Sequence, residues 1–209
     1  NRPKKFMLEH LVSQKHKFLI YMVLNITAFV IASVISLRVL LFFLFYMLTI
    51  WLYSNTIKRL FWLSNVFSAI LMILPFWAIT LYFKNFETII FYHAAYLFFL
   101  ILARDIIKDL ESFVGDWIHR YKTLPVVFDH ITAKAIASIC ILLTYVPNYL
   151  IIQQPFGSIH YFFWASIPFL IFVLVFLWFA QTQKAYLWTC NFIKLWILIG
   201  VFSIALVFR

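Results

Sequence analysis

Seven apolar runs, at roughly 18–37, 39–55, 63–83, 88–104, 131–152, 159–180 and 188–208, follow one another along this chain with only short polar segments between them. Each reaches the about 17–25 residues that cross a hydrocarbon core as a helix. Backbone N–H and C=O groups find no partner in lipid, so a spanning segment must be a helix or a strand of a closed barrel. Barrel strands alternate apolar and polar residues, whereas these runs are continuous. A single soluble core is excluded as well. At 66% hydrophobic residues, with 26 Phe, 11 Tyr and 8 Trp, the chain far exceeds the about 45–50% apolar content of a globular domain. The fold class is therefore all-α, a polytopic transmembrane helical bundle of about seven spans. Pro75, Pro147 and Pro168 fall inside runs, where they predict kinks that membrane helices tolerate.

The basic residues sit singly or in small groups between the runs. With the N-terminus in the cytoplasm, the inner segments hold Arg2, Lys4, Lys5, Lys15, Lys17, Lys58, Arg59, Arg104, Lys108, Arg120, Lys122, Lys134 and Lys184, thirteen of the 17 Lys and Arg. Arg38, Lys84 and Arg209 fall outside, and Lys194 lies within the last run. This positive-inside asymmetry accounts for the +10 formal charge without a nucleic-acid partner. The expected setting is an integral membrane protein among membrane lipids, in a bacterial cytoplasmic membrane, with no obligate protein partner. Cys140 and Cys190 lie within runs and show no CxxC or Cys/His spacing, so they read as reduced packing residues.

Four of the 7 acidic residues, Asp105, Asp109, Glu111 and Asp116, fall within twelve positions, interleaved with Arg104, Lys108, Arg120 and Lys122. A carboxylate has no cheap place in a bilayer, so such a cluster stands at the water boundary or serves chemistry. The topology sets it on the cytoplasmic side. If the fourth run continues as a helix past Arg104, a turn of about 100° per residue brings Asp105, Asp109 and Asp116 to about 0°, 40° and 20°, with Glu111 turned away. Gly115 is where such a helix could end early. Like charges on one face repel unless a cation joins them, and oxygen-only ligands favour Mg²⁺ completed by substrate phosphates. The ordinary alternative is a solvated charged loop with i,i+4 pairs. Lys58 and Arg59, in LYSNTIKRL, end the second run on the same side, where plain positive-inside anchoring would also place them. Tyr53 fits an interfacial belt, and the many aromatics suit either lipid contact or a greasy tunnel that steadies a carbocation. A transporter or channel is disfavoured, because His93, His160 and Lys194 stand too near helix ends to mark a mid-membrane pathway.

RDIIKDLESFVGDWIHRYKTLPV resembles the second Asp-rich motif of the UbiA superfamily of intramembrane prenyltransferases, of the form (R)(E/D)IIKDxEDxxGDxxxGxKTLPV, which follows the sixth of nine helices. LYSNTIKRL resembles the Tyr/Lys motif after that family's fourth helix. The opening NRPKK is similar to the stretch just after its first Asp-rich motif, N-D-x-x-D-x-x-x-D. In that register the seven runs resemble helices three to nine. Residues 1–209 are then expected to be a single, N-terminally incomplete transmembrane prenyltransferase-like domain, inactive as a fragment.

The resemblance implies Mg²⁺-dependent transfer of an isoprenyl group from an isoprenyl diphosphate donor to a lipid or aromatic acceptor. The KTLPV ending is similar to the geranylgeranylglycerol-phosphate geranylgeranyltransferase and 4-hydroxybenzoate polyprenyltransferase branches, and the RDIIKD form favours a geranylgeranylglyceryl phosphate-type acceptor. Carried over by position, Asp105, Asp109 and Asp116 are the catalytic, metal-side carboxylates. Lys58, Arg59, Arg104, Lys108, Lys122 and Tyr53 are the diphosphate-binding residues. Three departures stand against the pattern: Ser112 replaces the first Asp of the D-x-x-x-D core, Tyr53 and Lys58 are five apart where four is common, and Asp129 stands where a Gly often follows TLPV. Ser112 supports the alternative, a non-catalytic UbiA-fold membrane protein that binds isoprenoid lipids.

Overall fold

The computed structural model describes residues 13–57, 61, 63–154 and 160–203. Those residues form α1 (Gln14–Ile35), α2 (Leu37–Asn55), α3 (Leu63–Phe83), α4 (Thr88–Ile118), α5 (Leu124–Val127), α6 (His130–Leu143), α7 (Tyr145–Ile152), α8 (His160–Phe179) and α9 (Gln183–Ser203), with no strand among them. Counting α6 and α7 together, seven helices are long and apolar enough to cross a membrane, the number the apolar runs predict.

The chain divides into two compact units, one ending at Leu52 and the other starting at Tyr53. In the first, Ser36 adopts an extended backbone between α1 and α2, and its Oγ accepts the Val39 N–H at 3.3 Å. Large apolar side chains stand open on both helices, Phe18 and Val34 among them, the latter 81% exposed. Such surface suits hydrocarbon, because in water it would drive association.

In the second unit α4 is the spine. It packs against α3, α5, α6, α7 and α9, while α8 closes over α6, α7 and α9. Ala103, Ala133 and Ala137 are fully buried, so the backbones of α4 and α6 approach closely, as helices in lipid must when no hydrophobic effect drives them together. Leu100, Ile107, Ile141, Leu170, Val173 and Ile193 fill the remaining core. One buried polar set is satisfied internally: the Tyr96 hydroxyl donates to Ser166 Oγ at 3.1 Å and accepts from Trp196 Nε1 at 3.1 Å. Trp196 itself stacks between Phe162 and Phe169, at 4.9 and 4.1 Å between ring centres.

The prolines act unequally. Pro75 and Pro168 stay inside continuous helices. Pro147 follows a break at Thr144, because it has no N–H for the Leu143 carbonyl and its ring crowds that carbonyl. The break is sealed by the buried Thr144 hydroxyl, which donates to the Ile141 carbonyl. Lys134, also buried, is used structurally: its ammonium donates to the carbonyls of Trp178 and Ala180 at the end of α8 and lies 5.5 Å from the Tyr186 ring centre.

Candidate active site

Helix α4 does not stop where its apolar run stops. It continues for 31 residues in all, through Gly115 to Ile118, because Ile106, Ile107 and Leu110 keep burying one face past Arg104. The acidic segment is therefore helix, not loop. Its other face presents Arg104, Asp105, Lys108, Asp109, Ser112 and Asp116 to one cavity of about 490 Å³, a size suited to a small-molecule site. Opposite stand Ser64, Asn65, Ser68 and Met72 of α3, and Tyr53 and Ser54 of α2 complete the lining with Tyr121 and Thr123. Three carboxylates of the wheel thus share a cavity, and Glu111 is absent from its lining and buried elsewhere.

The end of α4 explains how Tyr121 and Thr123 arrive there. His119 ends the helix, and Arg120 takes a left-handed backbone with φ 56°. The Arg120 N–H then bonds the Trp117 carbonyl at 3.2 Å and the Tyr121 N–H bonds the Asp116 carbonyl at 2.9 Å. This is a Schellman cap with Arg where Gly is usual, and it turns the chain back over the cavity. Lys122 is not brought in. It is exposed and outside the lining, because neighbours along an extended stretch point to opposite sides and Tyr121 and Thr123 take the inner one. Lys58 and Arg59 lie outside the described residues.

Within the cavity the charges are engaged pairwise. Arg104 Nη1 bonds Asp105 Oδ1 at 3.0 Å and lies 3.6 Å from Met72 Sδ. Arg104 Nε is buried with no hydrogen-bond partner, a donor facing nothing. Asn65 Nδ2 donates to Asp109 Oδ2 at 2.8 Å. The Ser112 hydroxyl donates to Asp116 Oδ2 at 2.8 Å and also lies 3.1 Å from the Lys108 carbonyl. Three carboxylates face two described cations, so the lining carries one excess negative charge. A diphosphate would be repelled by that balance unless a divalent cation came with it.

Among the described residues, no three His, Cys, Asp or Glu gather into a group able to hold a metal ion alone. The reason is the helix itself: at 1.5 Å rise per residue, Asp105 and Asp116 stand about 16 Å apart along the axis and Asp109 and Asp116 about 10 Å. One ion cannot span the set. The arrangement fits Mg²⁺ of another kind, held through one or two carboxylates and completed by substrate phosphates. The orphaned Arg104 donor fits the same anion.

A second cavity, of about 390 Å³ and almost wholly apolar, is lined by Phe61, Val66, Leu102, Ile106, Leu124, Phe128, Ile136 and Cys140, together with Asn65. On α3, Ser64, Asn65 and Ser68 are polar lining residues that motif reading misses. Their signal is the polar pair Asn65 and Ser68, spaced i, i+3 beside Ser64 on the otherwise apolar α3. Asp129, the departure after TLPV, has a local reason: its carboxylate accepts the Thr132 N–H at 2.6 Å and caps α6. These bonds hold the Asp129 carboxyl below the usual aspartate range.

No match to a curated protein or to a solved structure is found for the chain. The model of the UbiA prenyltransferase family does match, over residues 1–206, and the chain belongs to that family of membrane prenyltransferases.

Proposed function

We propose that this protein transfers an isoprenyl group from an isoprenyl diphosphate to a lipid acceptor of the geranylgeranylglyceryl phosphate type, with Mg²⁺, on the cytoplasmic face of a bacterial membrane. An aromatic acceptor is the alternative within the same chemistry. One observation carries the reading: a charged cavity with three carboxylates and two cations adjoins an apolar cavity, and both are walled by α3 and α4. A diphosphate needs the first and a hydrocarbon chain the second.

Asp109 and Asp116 would hold Mg²⁺, and Asp105 shares its charge with Arg104. When bound, Mg²⁺ neutralises the diphosphate and makes it a better leaving group. Arg104 and Lys108 bind the remaining phosphate charge, and Lys58, Arg59 and Tyr53 are the further candidates for that contact. The allylic C–O bond breaks and its electron pair leaves with the diphosphate. The acceptor's nucleophilic atom then bonds the carbocation, and its proton passes to the departing diphosphate. Fixed charges placed where charge develops are the main source of such rate enhancement.

The test is diphosphate release by the full-length protein, in nanodiscs, across isoprenyl diphosphates and lipid and aromatic acceptors with Mg²⁺. Asp116→Ala is expected to lower kcat/KM about 100-fold, the scale of one lost electrostatic group. Glu111→Ala, outside the cavity, is expected to act on stability and to leave kcat nearly unchanged. No release with any acceptor would favour the non-catalytic, isoprenoid-binding reading, and equal losses in the two variants would overturn the assignment of Asp116.

A further inference from the structure

Asn65 is 8% exposed and stands on a helix whose other residues are nearly all apolar. Among the described residues it is the one shared by the linings of the charged and the apolar cavity. Its carboxamide is fixed at both ends. Ser64 Oγ donates to Asn65 Oδ1 at 3.3 Å, and Asn65 Nδ2 donates to Asp109 Oδ2 at 2.8 Å. With the Asp109 carboxylate ionised the bond has this direction, because a carboxylate then only accepts.

We infer that Asn65 is a positioning residue: it holds the Asp109 carboxylate by Oδ2 and so presents Oδ1 to a divalent cation in the charged cavity. This rests on the metal reading given above. The bond reaches across 44 positions, from α3 to α4, so it also locks the wall between the two cavities. A carboxylate without that donor turns about its own side-chain torsions, and a cation then has to order it on binding. Partners that orient metal ligands in this way commonly contribute about 10–100-fold to metal affinity.

The test is Mn²⁺ binding followed by electron paramagnetic resonance, on the full-length protein in nanodiscs with inorganic diphosphate. The chains compared are wild type, Asn65→Leu, Asn65→Ala, Asp109→Asn and the double variant Asn65→Leu/Asp109→Asn. Asn65→Leu is expected to weaken Mn²⁺ binding about 10-fold or more. In the Asp109→Asn background the same change is expected to do almost nothing, since residues acting as one unit are not additive. A merely structural role would give additive losses and would sink the inference. Asn65→Ala removes the donor with less bulk should the Leu variant not fold, and binding equal to wild type in it overturns the inference too. If Asp109→Asn binds Mn²⁺ as wild type does, the metal reading falls together with the role of Asn65. If only the Asn65 variants are silent, the role of Asn65 falls alone.

Discussion

Ser112 is the position at which this chain leaves its family's acidic pattern, and Ser112→Asp is the perturbation that measures what the departure does. The hydroxyl now donates to Asp116 Oδ2 at 2.8 Å. An aspartate there removes that donor and places a third charge between Asp109, three residues before, and Asp116, four residues after. Side chains at those helical spacings stand about 6 Å apart. Each repulsion is then about 0.7 kcal/mol if the cavity is as polar as water and about 2.8 kcal/mol at an effective dielectric of 20. The two pairs together then cost about 1.4–5.5 kcal/mol when no divalent cation is present, nearer the lower figure because the cavity is open to water. At about 2–4 °C per kcal/mol for a protein of this size, that lowers the melting point by on the order of 3–20 °C. With Mg²⁺ the sign reverses, because residues 112 and 116 become a carboxylate pair one turn apart, close enough for a single ion. The assay is Trp-fluorescence melting of the full-length protein in nanodiscs, in EDTA and in Mg²⁺. The variant should melt below wild type in EDTA and gain more from Mg²⁺. An unchanged melting point in EDTA, or a Mg²⁺ gain no larger than that of wild type, would refute the placement of Ser112 between two ionised carboxylates.

Two of the glycines separate packing from tolerance. A Cβ on Gly200 would lie 2.9 Å from Phe162 Cζ, whose ring is already held by Trp196 and Phe163, so Gly200→Ala should cost about 1–3 kcal/mol in melting experiments and Phe162→Leu should restore it. A Cβ on Gly115 meets nothing within 4 Å, and Gly115→Ala should leave the melting point equal or higher, as alanine suits a helix better. Asp129 gives a pH prediction with a definite sign. Its carboxyl is held below the ordinary range by Thr132, so its capping contribution is complete above the ordinary aspartate value of about 3.9 and fades as the pH falls through the lower folded value. Hydrogen-exchange protection factors over 130–133, taken relative to the intrinsic rate at each pH, should therefore fall on acidification below about pH 4, and Asp129→Asn, which caps without titrating, should flatten that response.

The spans were legible because the bilayer imposes length and continuity: the observed helices repeat six of the apolar runs to within about five residues, whereas α4 outruns the fourth, which ends at 104, as far as Ile118. The shared face of Asp105, Asp109 and Asp116 was legible too, since the helical period is a property of the backbone. What the period does not carry is distance along the axis. The same wheel that aligned three carboxylates hid the about 16 Å between the first and the last. Asn65 was illegible for a different reason: its meaning lies in a partner 44 positions away, and only packing of α3 on α4 brings the two together. Lys122 stands exposed and outside the lining, a position illegible in sequence because a basic residue beside a motif is a charge without a direction until the chain's turn at Arg120 is known.

The unbroken length of α4 has a further consequence. At 1.5 Å per residue its 31 residues measure about 46 Å, against a hydrocarbon core of about 30 Å. Nothing along it, no proline and no break, offers a joint between the greasy half and the charged half. A thicker or thinner bilayer is met by tilting the rod as one piece. Tilt about the bilayer midplane displaces the far end most, so Asp116 sweeps farther than Asp105. The length of the surrounding lipid tails thereby becomes a mechanical input to a site that no lipid tail needs to touch.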